Sequence, residues 1–567
     1  MFANFRQAMT WVHTWFGLVL GYVLMAAFFF GALSVFDREI DRWALPETRF
    51  EPQPMPSYDT VLAPVYARLR AHPQDMEATA RRVHGEIPHP DTLPLVSAWA
   101  YTTHRDPVLR LGGEFAIPNK PIDDSDEHQH VHGWGSIDPR TGEFLSEGSL
   151  KVGSEFFYPL HFSLHVEKWS LGYWIVGLAA LMMLAALVSG VVIHRKLFRE
   201  LFTFRPDKST QRSVLDLHNM TGVVALPFHF FFAFTGLVIF SNIYFPLNDT
   251  LLKPLHEQHE RLEAERTGLP HDPAGIPAPL ASVDAMVAEA ERRWAARDMP
   301  GTPGFLVLEH LGDANGYVSI YRAGSDRVAL VGQGVHFRAS TGELLREDPP
   351  PTTVFAIDEF LTGLHLQHFR HWLLRWLYVF GGLVGCVCIA TGFIFFTEKR
   401  KRQLAGQSST AVRWVDALAV TAVTGMLVAT AAMLVANRLL PESLAARGFW
   451  QEAVFWLAWL AALAHAGLRS GVVNRGLISP AWREQCWAFA ALAVSAVLLN
   501  WLTTGDHLFK TLAAAYWPVA GLDLALLLGV GLALWSAKLL RQRERGRAVV
   551  AARSRQGELP ALEPARG

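Results

Sequence analysis

Apolar positions in this 567-residue chain are gathered into long runs separated by polar stretches. Runs almost free of charge fall at 11–35, 171–194, 217–245, 373–397, 414–436, 450–468, 485–504 and 511–537. At about 1.5 Å per helical residue, each can cross a hydrocarbon core of roughly 30 Å. The pattern therefore predicts eight spanning helices. The first run is too long for a secretory signal, and no small-residue cleavage site follows before Asp37, so it is expected to remain as an anchor.

Two long polar stretches, about 37–160 and 246–364, interrupt the runs. Residues 58–71 and 282–297 have the period of amphipathic helices, and Tyr317–Tyr321 and Val328–Val331 read as strands. Both stretches contain a turn, Asp138-Pro-Arg-Thr-Gly-Glu and Ala339-Ser-Thr-Gly-Glu, whose glycine suits a positive φ. Each stretch is expected to form a small α+β domain.

The first four spans and their polar stretches form a repeat. His13, Gly17 and Gly31 recur as His218, Gly222 and Gly236, each 205 residues later. Thr141-Gly-Glu matches Thr341-Gly-Glu and Ser163-Leu-His165 matches Gly363-Leu-His365, both at 200; Ser189-Gly190 matches Thr391-Gly392 at 202. Spans five to eight lie outside the repeat and are expected to be an appended bundle.

Lys and Arg set the orientation. Arg195, Lys196, Arg199, Arg205, Lys208 and Arg212 follow the second run, and Lys399, Arg400, Lys401, Arg402 and Arg413 follow the fourth. Arg469, Arg475 and Arg483 separate the sixth from the seventh, and Arg541, Arg543, Arg545 and Arg547 follow the last. Eight crossings put all of these on one side, the cytoplasm, with both termini there and both polar stretches in the periplasm. The expected division is 1–36, first span; 37–160, first periplasmic domain; 161–245, spans two and three with their loop; 246–364, second periplasmic domain; 365–402, fourth span; 403–540, four further spans; 541–567, cytoplasmic tail.

Composition agrees with a membrane protein: 51% of residues are hydrophobic and only 18% charged, which argues against a disordered chain or an ordinary soluble enzyme. A net charge of −1 gives no basic field directed at nucleic acid. Three cysteines, Cys386, Cys388 and Cys486, lie in or beside apolar runs and are expected to be reduced.

The 23 histidines carry the candidate chemistry. His13 and His218 lie just inside the cytoplasmic ends of spans one and three; His165 and His365 lie near the outer ends of spans two and four. A pseudo-twofold axis along the membrane normal would pair His13 with His218 and His165 with His365, as in two bis-histidine haem sites. Gly17 and Gly222, one turn away, leave room for a porphyrin edge or for close helix packing. The plainer reading is a set of interfacial histidines bonded to backbone or lipid headgroups.

His229, eleven residues after His218, is the ionisable group placed deepest in spans one to four, and on a straight helix would lie roughly 16 Å from it. It is expected to bind a haem or to line a route between haems, whose levels are separated by about 25 residues, roughly 37 Å. Further candidates are His161, His368 and His371 near the outer site and His194 at the inner one. His128, His130 and His132 alternate in an acidic segment and would share a face on a strand, where a metal ion or a solvated loop are the alternatives. Asp523, mid-helix in span eight, is expected to pair with a polar group such as His465.

The segments Trp11-Val-His-Thr-Trp-Phe-Gly-Leu, Leu160-His-Phe-Ser-Leu-His165, Val188-Ser-Gly-Val-Val-Ile-His-Arg, Phe202-Thr-Phe-Arg-Pro, Asp216-Leu-His-Asn and Leu226-Pro-Phe-His resemble the PepSY-associated transmembrane proteins, a family that includes ferric-siderophore reductases of Gram-negative bacteria. The resemblance covers about residues 1–402. It implies an α-helical integral membrane protein with two periplasmic PepSY-like α+β domains. It also implies b-type haem, two or three copies, held by histidines among His13, His165, His218 and His365, and reduction of a periplasmic ferric siderophore. No dinucleotide fingerprint or flavin domain is present in the sequence, so quinol or a separate cytoplasmic reductase is the expected electron donor. A regulatory or ligand-sensing protein without haem, and an iron-chelate permease, are the alternatives.

The orientation is testable by labelling. A cysteine at Ser125 should react with an impermeant thiol reagent in intact spheroplasts, whereas one at Ser554 should react only after lysis. The reverse pattern would invert the topology.

Overall fold

The computed structural model describes residues 4–72, 76, 93–117, 130–145, 151–194, 202–206, 208–244, 268–270, 272–329, 333–403, 410–470 and 479–555. These form two compact units. One comprises Met1–Pro46, Gly148–Phe240 and Leu374–Gly567; the other comprises Glu47–Glu147 and Ser241–Leu373.

The first unit is helical. Among the described residues, six continuous helices are long and apolar enough to cross a bilayer: Lys168–Ile193, Trp372–Arg400, Val412–Leu439, Arg447–Ser470, Pro480–Thr504 and Trp517–Arg545. Two more candidates are bent pairs, Phe5–Val19 with Gly21–Ser34 at 59° and Thr210–Val224 with Leu226–Ile239 at 62°. Counting each pair once gives the eight spans expected, here numbered in chain order. The straight helices expected for spans one and three are instead broken at Leu20 (φ −92°, ψ −9°) and Ala225 (φ −93°, ψ 6°), again 205 residues apart. In span three, Pro227 lies in the first turn after the break, where its missing N–H is tolerated. In span one, a side chain at Gly21 would lie 3.0 Å from the Phe393 ring, so the bend brings backbone against span four.

The last four spans are not merely appended. Phe30, Trp43, Phe156 and Phe157 share one hydrophobic cluster with Met426, Leu434, Phe455, Phe489 and Leu526. Phe455 of span six packs 4.9 Å from Phe156 and 6.0 Å from Phe30, ring centre to ring centre. Replacing such a ring by Ala typically costs about 3–5 kcal/mol. Polar groups complete the join. The Trp43 indole donates to Asp523 Oδ1 at 2.8 Å, so Asp523 meets Trp43 and not His465. His465 Nε2 instead lies 3.0 Å from Glu484, which Arg469 also grips. Arg438 donates to the carbonyls of Trp43 and Ala44. In span five, one wide turn at Thr421–Gly425 accompanies a carbonyl at Thr421 that accepts from the Trp459 indole at 3.0 Å. The three cysteines are free thiols, as expected.

The second unit corrects the expectation of two separate domains. Strands β1 (Leu95–Thr103), β2 (Asp106–Ala116), β3 (His130–Asp138) and β4 (Glu143–Phe144) come from the first polar stretch. Strands β5 (Pro303–Glu309), β6 (Tyr317–Arg322), β7 (Gly334–Arg338) and β8 (Leu344–Glu347) come from the second. All eight form one sheet in the order β4-β3-β2-β1-β5-β6-β7-β8, and β1 joins β5 antiparallel through Ala98↔Leu308 to Tyr101↔Phe305. Two half-sheets that would each expose an edge at β1 or β5 close that edge on each other. Val328 lies in a bend outside any strand, and residues 330–332 lie outside the described residues. Gly142 and Gly342 do adopt positive φ, 71° and 72°.

Helix Val283–Ala296 covers the sheet with Met286, Ala290 and Trp294, spaced by four and buried in the same core as Leu306, Val318 and Ile320. The corresponding element near the start of the unit, Tyr58–Tyr66, is shorter than the 58–71 expected. The two begin with Ser57-Tyr-Asp59 and Ser282-Val-Asp284, and each Asp caps the other element. Asp284 accepts from Ser57 Oγ at 2.5 Å and Tyr58 N at 2.8 Å. Asp59 accepts from Ser282 Oγ at 2.6 Å and Val283 N at 3.1 Å.

This reciprocal capping predicts crossed effects. Asp59→Ala should loosen the start of Val283–Ala296, and Asp284→Ala the start of Tyr58–Tyr66, each by about 1 kcal/mol, or roughly fivefold faster amide exchange there. Exchange that changes only beside the mutated residue would contradict the crossed arrangement.

Candidate functional site

His13 of span one and His218 of span three meet within the first unit. Their ring centres are 6.0 Å apart and their planes 78° apart. His13 Nδ1 lies 2.9 Å from the Ala186 carbonyl of span two, and His218 Nδ1 lies 2.8 Å from the Cys388 carbonyl of span four. A carbonyl can only accept, so Nδ1 carries the proton in both rings. Nε2 is left as the lone-pair nitrogen.

Each ring is seated by the same local device. Ser189 Oγ donates to the Ala186 carbonyl at 3.0 Å, and Thr391 Oγ1 to the Cys388 carbonyl at 2.8 Å. One residue further on, Gly190 and Gly392 lie against the imidazoles: an added Cβ would come 3.3 Å from His13 Cε1 and 3.4 Å from His218 Cε1. The pairs Ser189-Gly190 and Thr391-Gly392 stood out in the sequence as repeat landmarks, but the role of the carbonyls before them was not visible there. Gly17 has nothing within 4 Å of an added Cβ, and at Gly222 the nearest atom is Cys388 Sγ at 3.5 Å.

The same attachment occurs a third time. His161 Nδ1 lies 2.7 Å from the Ala27 carbonyl, and four residues after Ala27 an added Cβ at Gly31 would lie 2.7 Å from that nitrogen. His165 is held differently. It has a left-handed backbone (φ 55°), its ring stacks on Phe156 at 4.8 Å, and its Nε2 lies 2.9 Å from the Phe156 carbonyl. Only Nδ1, the nitrogen nearer the backbone, then keeps a lone pair.

His229 is 3% exposed, and its Nε2 has no hydrogen-bond partner among the described residues. Its ring lies 5.4 Å from Phe28, and an added Cβ at Gly385 would come 3.2 Å from Nε2. The break at Ala225 separates it from His218, so the straight-helix distance expected between them does not apply. His194 closes span two as its C-cap. His365 ends helix Thr353–Leu366 in the second unit, and His368 and His371 follow it there. His132 Nε2 lies 3.5 Å from Glu114, while His128 falls outside the described residues.

Two imidazoles with Nδ1 anchored and Nε2 left as the donor nitrogen would be a donor set able to hold one metal ion. The ring centres of His13 and His218, 6.0 Å apart, are close enough that both could serve one ion. Haem iron, whose remaining ligands belong to the porphyrin, fits this pair. Among the described residues no group of three or more His, Cys, Asp or Glu side chains could hold an ion by themselves.

The family model for the PepSY-associated TM region matches residues 10–399. An uncharacterized protein of Pseudomonas aeruginosa is 30% identical over 375 residues, covering 62% of this chain and 87% of the relative. Spans five to eight lie beyond the family match.

If His13 and His218 share one iron, His13→Ala and His218→Ala should each remove the same haem equivalent. The double variant should lose no more than either single one, measured as pyridine haemochrome on purified protein. Additive losses would show that the rings serve different ions.

Proposed function

Because the chain belongs to the PepSY-associated transmembrane family, we propose that it is an inner-membrane b-haem protein that passes electrons outward to a periplasmic ferric siderophore. The arrangement of His13 and His218 is the observation that carries this reading. Bound between such imidazoles, haem supplies a reversible one-electron couple whose potential follows ligation and burial. The chain supplies the rest. The Ala186 and Cys388 carbonyls fix both rings and strengthen Nε2 as a donor by polarising Nδ1–H.

A second, outer site is part of the proposal. The attachment of His161 matches that of His13 and His218, which favours His161 over His165 as an outer ligand. The electron donor is quinol in the bilayer or a separate cytoplasmic reductase. Reduction aids iron release because hard oxygen donors hold Fe²⁺ less strongly than Fe³⁺.

The first test is a visible spectrum of the purified protein, with a Soret band that shifts on adding dithionite. A protein lacking that band after expression with ample haem would end the proposal. His161→Ala is expected to remove the outer haem and abolish chelate reduction, while His165→Ala keeps the haem. The opposite result would return the role to His165. His365→Ala and His368→Ala belong in the same series.

His229 has its own expected outcome. His229→Leu should slow reoxidation of the prereduced protein by a ferric chelate in stopped flow, with haem content measured alongside. Full haem content reoxidised at the wild-type rate would make His229 a packing residue.

A further inference from the structure

The second unit contains a cavity of about 850 Å³, within the size range of small-molecule sites. It opens where β1, β5 and β6 end near the segment that precedes span four, and its lining comes entirely from this unit. Tyr101, Phe305 and Tyr321 line it from three adjacent strands. The register pairs Tyr101 with Phe305 and Phe305 with Tyr321, so the three rings stand on one face. Their centres are 6.1 and 5.9 Å apart. Burial pushes the Tyr321 phenol up from its ordinary pKa, which keeps it uncharged.

The charge on the lining has one sign. Among the described residues it comes from Arg322 and Arg370, with His104 and His368 beside them and no carboxylate in the lining; Asp348 and Glu309 lie near enough to Tyr321 to help raise the pKa of its phenol. Arg322 is committed: it donates to the carbonyls of Met299 and Pro300 and forms a two-pronged ion pair with Asp326. Arg370 is not. Its backbone N–H donates to Ser325 at 2.8 Å, which fixes the chain, while its exposed guanidinium has no partner among the described residues. Aromatic faces alone would also suit a cation. The free guanidinium and the absence of a lining carboxylate decide for an anion.

We propose that this cavity is the docking site for the periplasmic acceptor, and that it selects ferric chelates that are aromatic and net negative, of the catecholate type. Aryl rings of the chelate stack on Tyr101, Phe305 and Tyr321, and its negative charge meets Arg370. An aliphatic, positively charged hydroxamate chelate has neither contact. The inference rests on the reductase reading, and it adds the site and the substrate class. The position of His368 and Arg370 suits the role: in sequence they lie three and five residues after His365, so the cavity wall and the outer-ligand candidates belong to one short segment.

The test uses the full chain in detergent and redox-inert probes. Gallium(III) complexes of a synthetic tris-catecholamide and of a cationic aliphatic trihydroxamate are compared by equilibrium dialysis. The catecholamide complex should bind wild-type protein at least about tenfold more tightly, and Arg370→Gln should weaken it by about tenfold, the loss expected for one charge-assisted hydrogen bond. Arg370→Lys should recover part of that loss, and Phe305→Ala should weaken binding without altering the preference for negative charge. Arg370 has no side-chain partner to lose, so Arg370→Gln carries the test alone if Phe305→Ala does not fold. Equal binding of both complexes, or binding unchanged in Arg370→Gln, overturns the proposal. Gallium accepts no electron, so the result is independent of haem. Arg370-dependent binding in a protein that fails to reduce chelates would leave the site standing and end the reductase reading. Haem reoxidation with Arg370-independent binding would do the reverse.

Discussion

The membrane unit depends on imidazole rings hydrogen-bonded to backbone carbonyls of neighbouring helices. A helical carbonyl is normally satisfied within its own helix and hidden by the side chain one turn on. Here the residue one turn on is glycine at Gly190, Gly392 and Gly31, so a histidine can reach the carbonyls of Ala186, Cys388 and Ala27. The bond selects one tautomer, aims the other nitrogen and holds two helices at one separation. In an apolar medium, where an unpaired polar group is expensive, it also places the histidine without a solvent partner. The two helix breaks, at Leu20 and Ala225, follow the same twofold logic, and both lie between an inner histidine and the deeper part of its span.

Around this centre the last four spans act as a wall with a shared interior. Phe455 inserts between Phe30 and Phe156, Asp523 accepts the Trp43 indole, and Arg438 takes up the carbonyls at the end of helix Asp37–Ala44. A carboxylate and a guanidinium within a membrane bundle are tolerable when bonded in this way. The bonding also explains why these residues sit on otherwise apolar helices.

The second unit, taken by itself, is also built from the two halves of the repeat. Among the described residues, each polar stretch supplies four strands and one covering element, too little alone to protect both sheet edges. Pairing β1 with β5 removes one edge from each half. The exchanged caps at Asp59 and Asp284 tie the covering elements across the same axis. The ladder of Tyr101, Phe305 and Tyr321 crosses that join, so its aromatic face exists only once the halves are paired.

The sequence by itself determined the number and placement of the apolar spans, the repeat, the turn glycines at Gly142 and Gly342, and the equivalence of His13 and His218. These follow from composition and spacing, which act locally along the chain. Tertiary structure alone decided the rest. The break at Ala225 falls inside a single apolar run, and the fusion of two expected domains turns on strand edges whose pairing no local pattern specifies. Asp523 found Trp43 and not His465 because the bundle brings helix Asp37–Ala44 to span eight, a contact between residues 480 positions apart. His161 and His165 are four residues apart and chemically alike, so spacing could not separate them. A carbonyl on another helix and a left-handed backbone at His165 do, because the direction of a ring nitrogen is set by what it bonds to in space.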